Sequence, residues 1–244
     1  MTGRHRQLVE DVIRNYRLPH PDYVIGDVGT TLYALDASGE WRVDVPTGTR
    51  RLAGLARLLR ASTWCWCKLA DIPPCRVLQE ATRQNTHKLS YYLAPGYDQA
   101  ALAREIGDRL QRRGVQARLV WSVDEAAALG LLDILPARAS KYHALVQLQQ
   151  RLGLADDATV FCGDSGNDLE VLASPVPSVL VANSEPYVQA EARRAAAAHG
   201  HEASLYIASG NFTGMNGNYS AGILEGVAHY HPDVAQWMGL GATG

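Results

Sequence analysis

Long apolar runs are missing from this chain of 244 residues. None approaches the length that crosses a bilayer, and the N-terminus carries no signal-peptide pattern. An excess of one charge is missing too. With 23 Lys and Arg against 25 Asp and Glu, the formal net charge of -2 offers nucleic acid no electrostatic attraction. Neither a membrane nor a polynucleotide is therefore expected as a partner. The sequence has no internal repeat and no low-complexity linker. Cysteine is sparse: Cys65, Cys67, Cys75 and Cys162. Three of these lie close together, but C-x-C, seven residues, then C matches no common zinc spacing, and no histidine stands beside them. Trp64, Cys65, Trp66 and Cys67 read instead as a packed strand or helix segment in a reducing cytoplasm. What remains is ordinary for a globular protein, 47% hydrophobic and 20% charged, with length for one large domain or two small ones.

Periodicity orders the chain. Residues 5–18 place Leu8, Val9, Val12, Ile13 and Tyr16 at helical spacing, and Pro19 and Pro21 end that helix. "DYVIGDVGTTLYAL", residues 22–35, reads as two short strands around a Gly-Thr turn, and "VPTGTRRLAGLARLLRAS", residues 45–62, as a second helix. From about 85 to 123 the pattern is strand, helix, strand. "HKLSYYLA" alternates, "DQAALAREIGDRLQRRG" is amphipathic up to Gly114, and "VQARLVWS" alternates again, outlining a small α+β module. Beyond it, "SKYHALVQLQQRLGL" predicts a helix, "ATVFCGD" a buried strand and "SGNDLEVLAS" the opening of another helix. "SVLVANS" predicts a strand, and "EPYVQAEARRAAAAHG" and "SAGILEGVAHYHP" two more helices. Strands alternating with helices predict an α/β fold with a parallel sheet covered by helices. "SGNFTGMNGNYS", residues 209–220, is rich enough in Gly and Asn to form a mobile loop.

Chemistry concentrates in "VFCGDSGNDLEVL". A buried strand ends at Gly163 with Asp164 at its carboxyl end, and Ser165 and Gly166 turn the chain into a helix beginning near Asn167 and Asp168. Open parallel sheets bind ligands outside the carboxyl ends of their strands. Two carboxylates across such a turn can face one point above the sheet, and hard oxygen donors suit Mg²⁺, which keeps waters and shares a substrate phosphate. The same residues also fit a structural reading, with Asp168 capping the helix and Asp164 bracing the turn. "DYVIGDVGTTLY" raises a separate question. Its apolar run leads to Asp27 and then Gly29-Thr30, like a nucleophile-bearing strand, yet Val28 and Gly29 leave no place for a second carboxylate.

Together these segments resemble the haloacid dehalogenase (HAD) phosphatases and, among them, the sucrose-phosphate phosphatases. "GDSGNDLEVL" is similar to the fourth HAD motif and "ARASKYHAL" to the third, with Lys141 as the phosphate-binding lysine. The resemblance runs from Thr2 to about Pro232, through T-G-R, a helix, P-D-Y, V-G-[ST]-E-[IL]-Y, K-[IL]-S-Y and a closing helix like "AGILEGVAHY". It implies a Rossmann-like HAD core with a parallel sheet, from residues 1–45 and 136–244, and an inserted α+β cap, 46–135, that sets substrate specificity. It implies Thr2, Gly3, Lys141 and Asn167 on the phosphate and Asp164 and Asp168 on Mg²⁺. Lys141, Asp164 and Asp168 would form the catalytic set, Lys88 and Ser90 of the cap would bind the sugar, and Asn183 of "VANSEP" would lie near the metal. On pattern alone, the alternation that puts Lys88, Ser90 and Tyr92 on one face reads as an ordinary half-buried strand.

By the same resemblance "DVGTTLY" corresponds to V-G-[ST]-E-[IL]-Y, so Asp27 is not at the nucleophile's position, and "MTGR" is similar to the second motif. The first strand, its Asp-x-Asp-x-Thr and the first helix have no counterpart, as though Met1 were an internal start. In the family the first Asp of that motif attacks the phosphate monoester and the second protonates the leaving sugar, then activates water. Mg²⁺ neutralises phosphate charge. The expected function is that of a Mg²⁺-dependent sugar-phosphate phosphatase, with sucrose 6-phosphate as first substrate and this polypeptide itself inactive or nearly so. Thr31, where the family usually has glutamate, implies a preference moved towards another glycosyl phosphate. The run 209–220 either lines the phosphate side or is a surface loop. A missing central strand implies self-association. One alternative is a non-catalytic sugar-phosphate or Mg²⁺-binding module that partners a sucrose-phosphate synthase-like glycosyltransferase; another is a split enzyme.

Overall fold

Apolar and β-branched residues start the first sheet. Tyr23, Val24 and Ile25 build β1 (Tyr23–Gly26), and a single 3₁₀ turn at Asp27–Gly29 returns the chain into β2 (Thr31–Leu35). The two strands are antiparallel, with Val24 opposite Tyr33 and Ile25 opposite Leu32, and β3 (Trp41–Asp44) extends the sheet beyond β2. Ahead of them stands α1 (Arg6–Tyr16). The computed structural model describes residues 1–2, 6–36, 38–44, 72, 75, 77–84, 88–93, 96–124, 128–137 and 139–237. The helix expected over 45–62 and the Trp64–Cys67 segment lie outside them. The chain forms two compact units, Met1–Ala144 and Leu145–Gly244.

The first unit also holds a four-stranded antiparallel sheet of β4 (Val77–Leu78), β5 (Leu89–Leu93), β6 (Ala117–Asp124) and β7 (Leu129–Pro136), in the order β4-β5-β7-β6. Helix α2 (Gln99–Gln111) begins where the Asp98 carboxylate accepts the Ala101 N–H at 3.0 Å, satisfying one of the orphan donors of its first turn. Leu102, Ile106 and Leu110 recur at helical spacing and pack on Tyr91, Leu93, Leu132 and Ile134. Full burial of such side chains contributes about 1.5–3 kcal/mol each. Cys75 lies in the same core, and burial pushes its thiol up to about 11, so it is a packing group rather than a thiolate.

In the second unit β8 (Phe161–Gly163), β9 (Ser178–Leu180) and β10 (Leu205–Ile207) run parallel in the order β10-β9-β8. The helices follow the expected alternation. Helix α3 (Lys141–Leu152) spans the boundary between the units; α4 (Leu169–Leu172), α5 (Pro186–His199), α6 (Tyr219–Tyr230) and α7 (Pro232–Trp237) come after it. The segment expected to be a mobile loop is pinned. The Glu225 carboxylate accepts the backbone N–H groups of Ser209 at 2.7 Å and Gly210 at 3.0 Å, and Ala182 N–H donates to the Gly217 carbonyl at 2.9 Å. Strands β3, β4, β7 and β10 were not expected from periodicity.

Candidate active site

The turn after β8 is built around one carboxylate. Asp168 Oδ2 accepts the N–H of Asp164, the N–H of Ser165 and the Ser165 hydroxyl, each at 3.2 Å, while Asp168 N–H donates to the Ser165 carbonyl. This reciprocal capping box opens the helical segment Gly166–Leu172, a 3₁₀ turn running into α4. Asp168 is buried, and it folds back over Gly163 so closely that a Cβ there would stand 2.7 Å from its Cγ. Glycine at the end of β8 is thus a steric requirement of the motif. Asp164 differs. It is exposed at the carboxyl end of β8, and its carboxylate has no hydrogen-bond or ion-pair partner among the described residues. Asn167 Oδ1 lies 3.1 Å from the same Ser165 hydroxyl, as an alternative or shared acceptor of its one hydrogen. The capping role and the carboxyl-end placement therefore hold together, because Asp168 shapes the turn that presents Asp164.

Asn183 follows β9 at the carboxyl edge of the same sheet. Its side-chain carbonyl accepts the Tyr219 N–H at 2.7 Å, fixing the start of α6. Cys162 sits in β8, and burial raises its thiol to about 11.

The other expected site residues lie in the first unit. Lys141 is the buried first residue of α3, a helix end where backbone N–H groups and the macrodipole favour an anion. Ser140 before it accepts the His143 N–H at 3.1 Å. Gly29 lies against this helix start: its φ is +92°, and a Cβ there would collide with the Ser140 carbonyl and come within 2.9 Å of Lys141 N. Thr2 N–H donates to the Ile25 carbonyl at 2.8 Å, placing Thr2 beside β1; Gly3 lies outside the described residues. Lys88 and Ser90 lie on the face of β5 opposite Tyr91 and Leu93, as alternation requires, and both are buried. The Ser90 hydroxyl donates to Asp133, its cross-strand neighbour on β7, and lies 3.3 Å from the Arg83 carbonyl.

Sequence reasoning considered Asp27 only as a nucleophile and missed its meeting with Lys88, and it missed Asp133 altogether. Lys88 Nζ stands 3.2 Å from Asp27 Oδ1, and each side chain is only 5% exposed. Asp27 occupies the left-handed region at φ +51°, and Thr30 closes the turn by donating from its N–H and hydroxyl to the Asp27 carbonyl. The one local signal for Asp133 was a carboxylate inside the apolar run of "LLDILP". The pairing of Asp27 with Lys88 had no local signal, since the two lie far apart along the chain.

A parallel sheet with an acidic turn beyond its β8 strand, and a separate antiparallel α+β layer, define an HAD-like α/β fold. Solved structures share it, among them one from Synechocystis and one from Bacillus subtilis. The Synechocystis sucrose-phosphatase, in complex with sucrose and phosphate, matches with a TM-score of 0.67 at 24% identity, over 93% of this chain and 82% of its own. An HAD-like hydrolase from Bacillus subtilis matches with a TM-score of 0.54 at 17% identity, over 94% and 76%. The chain belongs to the sucrose-6F-phosphate phosphohydrolase family, whose profile matches residues 1–231. An HAD-like hydrolase of Nitrosococcus oceani is 46% identical over 99% of this chain, which spans 64% of that relative's length. Mannosylfructose-phosphate phosphatase of Agrobacterium fabrum is 29% identical over 92% of this chain and 80% of its own.

Proposed function

We propose that this chain forms the phosphate, metal and sugar-recognition parts of a phosphatase acting on a disaccharide phosphate, with sucrose 6-phosphate as the first candidate. The observation that carries the reading is the β8 turn, where Oδ2 of Asp168 shapes the loop while Asp164 stands exposed at the carboxyl end of the strand. The donor set suits Mg²⁺: hard carboxylate oxygens, few in number, leaving room for waters and a phosphate oxygen. Asp164 and Asp168 would hold the ion, which would supply charge neutralisation at the phosphate. Lys141 at the start of α3 would offer a positive group to a phosphate. The core then comprises residues 1–45 and 136–244, with 46–135 as the cap.

Within these 244 residues no Asp-x-Asp-x-Thr occurs, so the polypeptide offers neither the family's nucleophile nor its acid/base. That observation favours a second reading of the isolated chain, as a binding module that holds Mg²⁺ and phosphate without turning substrate over. Loss of nucleophile or base costs on the order of a million-fold in comparable covalent enzymes. The decisive experiment pairs calorimetric binding with phosphate release from sucrose 6-phosphate. Mg²⁺-dependent binding with turnover depressed by about that factor is the expected result. Turnover at ordinary phosphatase rates would overturn the prediction of inactivity, and absence of any phosphate binding would overturn the functional assignment.

A further inference from the structure

We propose that Asp27 is a specificity-determining residue which, with Lys88, grips a sugar hydroxyl of the substrate. The inference rests on the sugar-phosphate reading above and deepens it. Its basis is a surplus of hydrogen-bonding capacity of both signs at one buried point. An ammonium has three donors and a carboxylate two acceptor oxygens, yet the 3.2 Å contact between Lys88 and Asp27 is the one hydrogen-bond or ion-pair partnership either side chain makes with the described residues. Buried polar groups are ordinarily satisfied more fully than this. The pair also selects the chemistry of what completes it. An anion would be repelled by Asp27 and a cation by Lys88. A hydroxyl donates to the carboxylate while accepting from the ammonium, so a neutral polyol suits both.

Backbone geometry sets the distance. Asp27 is two residues from Gly29, so their Cα atoms are at most about 7 Å apart. Gly29 is pressed against the backbone of Ser140 and Lys141, at the helix start suited to the phosphate. Asp27 is therefore held close to that helix end, no further along the chain than two residues from the glycine that touches it. The positive φ of Asp27 belongs to the same arrangement, since strained backbone persists where its surroundings over-determine it and gathers at ligand clamps. Ser90 and Asp133, hydrogen-bonded on the same face of the sheet as Lys88, continue the polar wall.

The test compares two ligands on the full 244-residue chain by calorimetry: inorganic phosphate and sucrose 6-phosphate, each with Mg²⁺. The quantity read is the ratio of their affinities, which a general loss of folding would not change. Asp27→Asn is expected to cut the preference for sucrose 6-phosphate by about tenfold, the loss of a charged hydrogen bond, with Lys88→Gln giving a similar fall. Should Asp27→Asn not fold, Asp27→Glu, which displaces the carboxylate by one methylene, is read in the same way. A wild type that prefers the sugar phosphate beside variants with an undiminished ratio would overturn the role of Asp27 and leave the phosphatase reading standing. A wild type that binds phosphate but shows no preference would overturn both the clamp and the sugar assignment.

Discussion

A methyl group at position 163 would stand 2.7 Å from Asp168 Cγ and 2.8 Å from its Oδ2. The side chain it meets cannot swing aside freely, because that oxygen accepts from Asp164 N–H, Ser165 N–H and the Ser165 hydroxyl. Accommodating the methyl means breaking this set or moving β8, and overpacking of that kind costs about 1–3 kcal/mol. Gly163→Ala is therefore expected to lower the urea midpoint and also weaken Mg²⁺ binding in a calorimetric titration, although residue 163 carries no ligand atom in its side chain. Unchanged values for both would mean that the turn has slack and that glycine there is incidental. The same scale explains what Asp164 gains. A neighbour takes the capping duty, so its own carboxylate needs no protein partner.

At the scale of elements, the segment 209–218 shows how a Gly/Asn-rich run is held without regular structure. Glu225 on α6 accepts from Tyr206 at 2.8 Å, the Ser209 N–H at 2.7 Å and hydroxyl at 3.2 Å, and the Gly210 N–H at 3.0 Å. Burial alone would raise this carboxyl. The Ser209, Tyr206 and Gly210 donors together outweigh it and hold the group below its ordinary 4.5. A depressed carboxyl contributes stability above its unfolded value and loses it as pH falls through the folded one. Glu225→Gln is expected to cost about 1–3 kcal/mol at neutral pH. In urea unfolding at stepped pH, the gap to wild type should narrow below about pH 4.5. A gap constant down to pH 3 would remove the charge from the explanation. None of this was legible in the run itself, which reads as mobile because its partners sit on another element. The turn after β8 was legible, because strand, turn and helix start are contiguous. Strand β7 was not: "LGLLDILP" carries Asp133 within an apolar run and so lacks clean alternation, while β3 and β10 are too short to establish a period. The Asp27–Lys88 pair joins a turn to a distant strand, and no local pattern encodes such a meeting.

At the scale of the whole molecule, two core strands have a single strand neighbour each among the described residues, and one helix has an exposed apolar stripe. Among the described residues β8 closes its sheet with β9 as sole strand neighbour; β1 has β2 as sole strand neighbour, and on its outer side the Ile25 carbonyl accepts the Thr2 N–H, leaving the rest of that edge without a strand. Both strands carry buried apolar residues, Phe161 in β8 and Val24 and Ile25 in β1, so these are core strands by composition and edges by position. Free edges of this kind are templates for further pairing. Helix α1 adds an apolar stripe. Of Leu8, Val9, Val12, Ile13 and Tyr16, only Ile13 is buried, while Leu8 is 38% and Tyr16 74% exposed. Amphipathic helices bury such a stripe when a partner surface is available. The 244-residue chain is accordingly expected to self-associate, with sedimentation velocity showing an average mass that rises with protein concentration. Leu8→Glu, which puts a charge on the stripe without touching either sheet edge, should shift that curve to higher concentration, and hydrogen exchange of β8 amides should slow as association proceeds. A single monomeric species at every concentration, melting in one cooperative step, would show that the strand edges and the helix stripe are already covered within one chain.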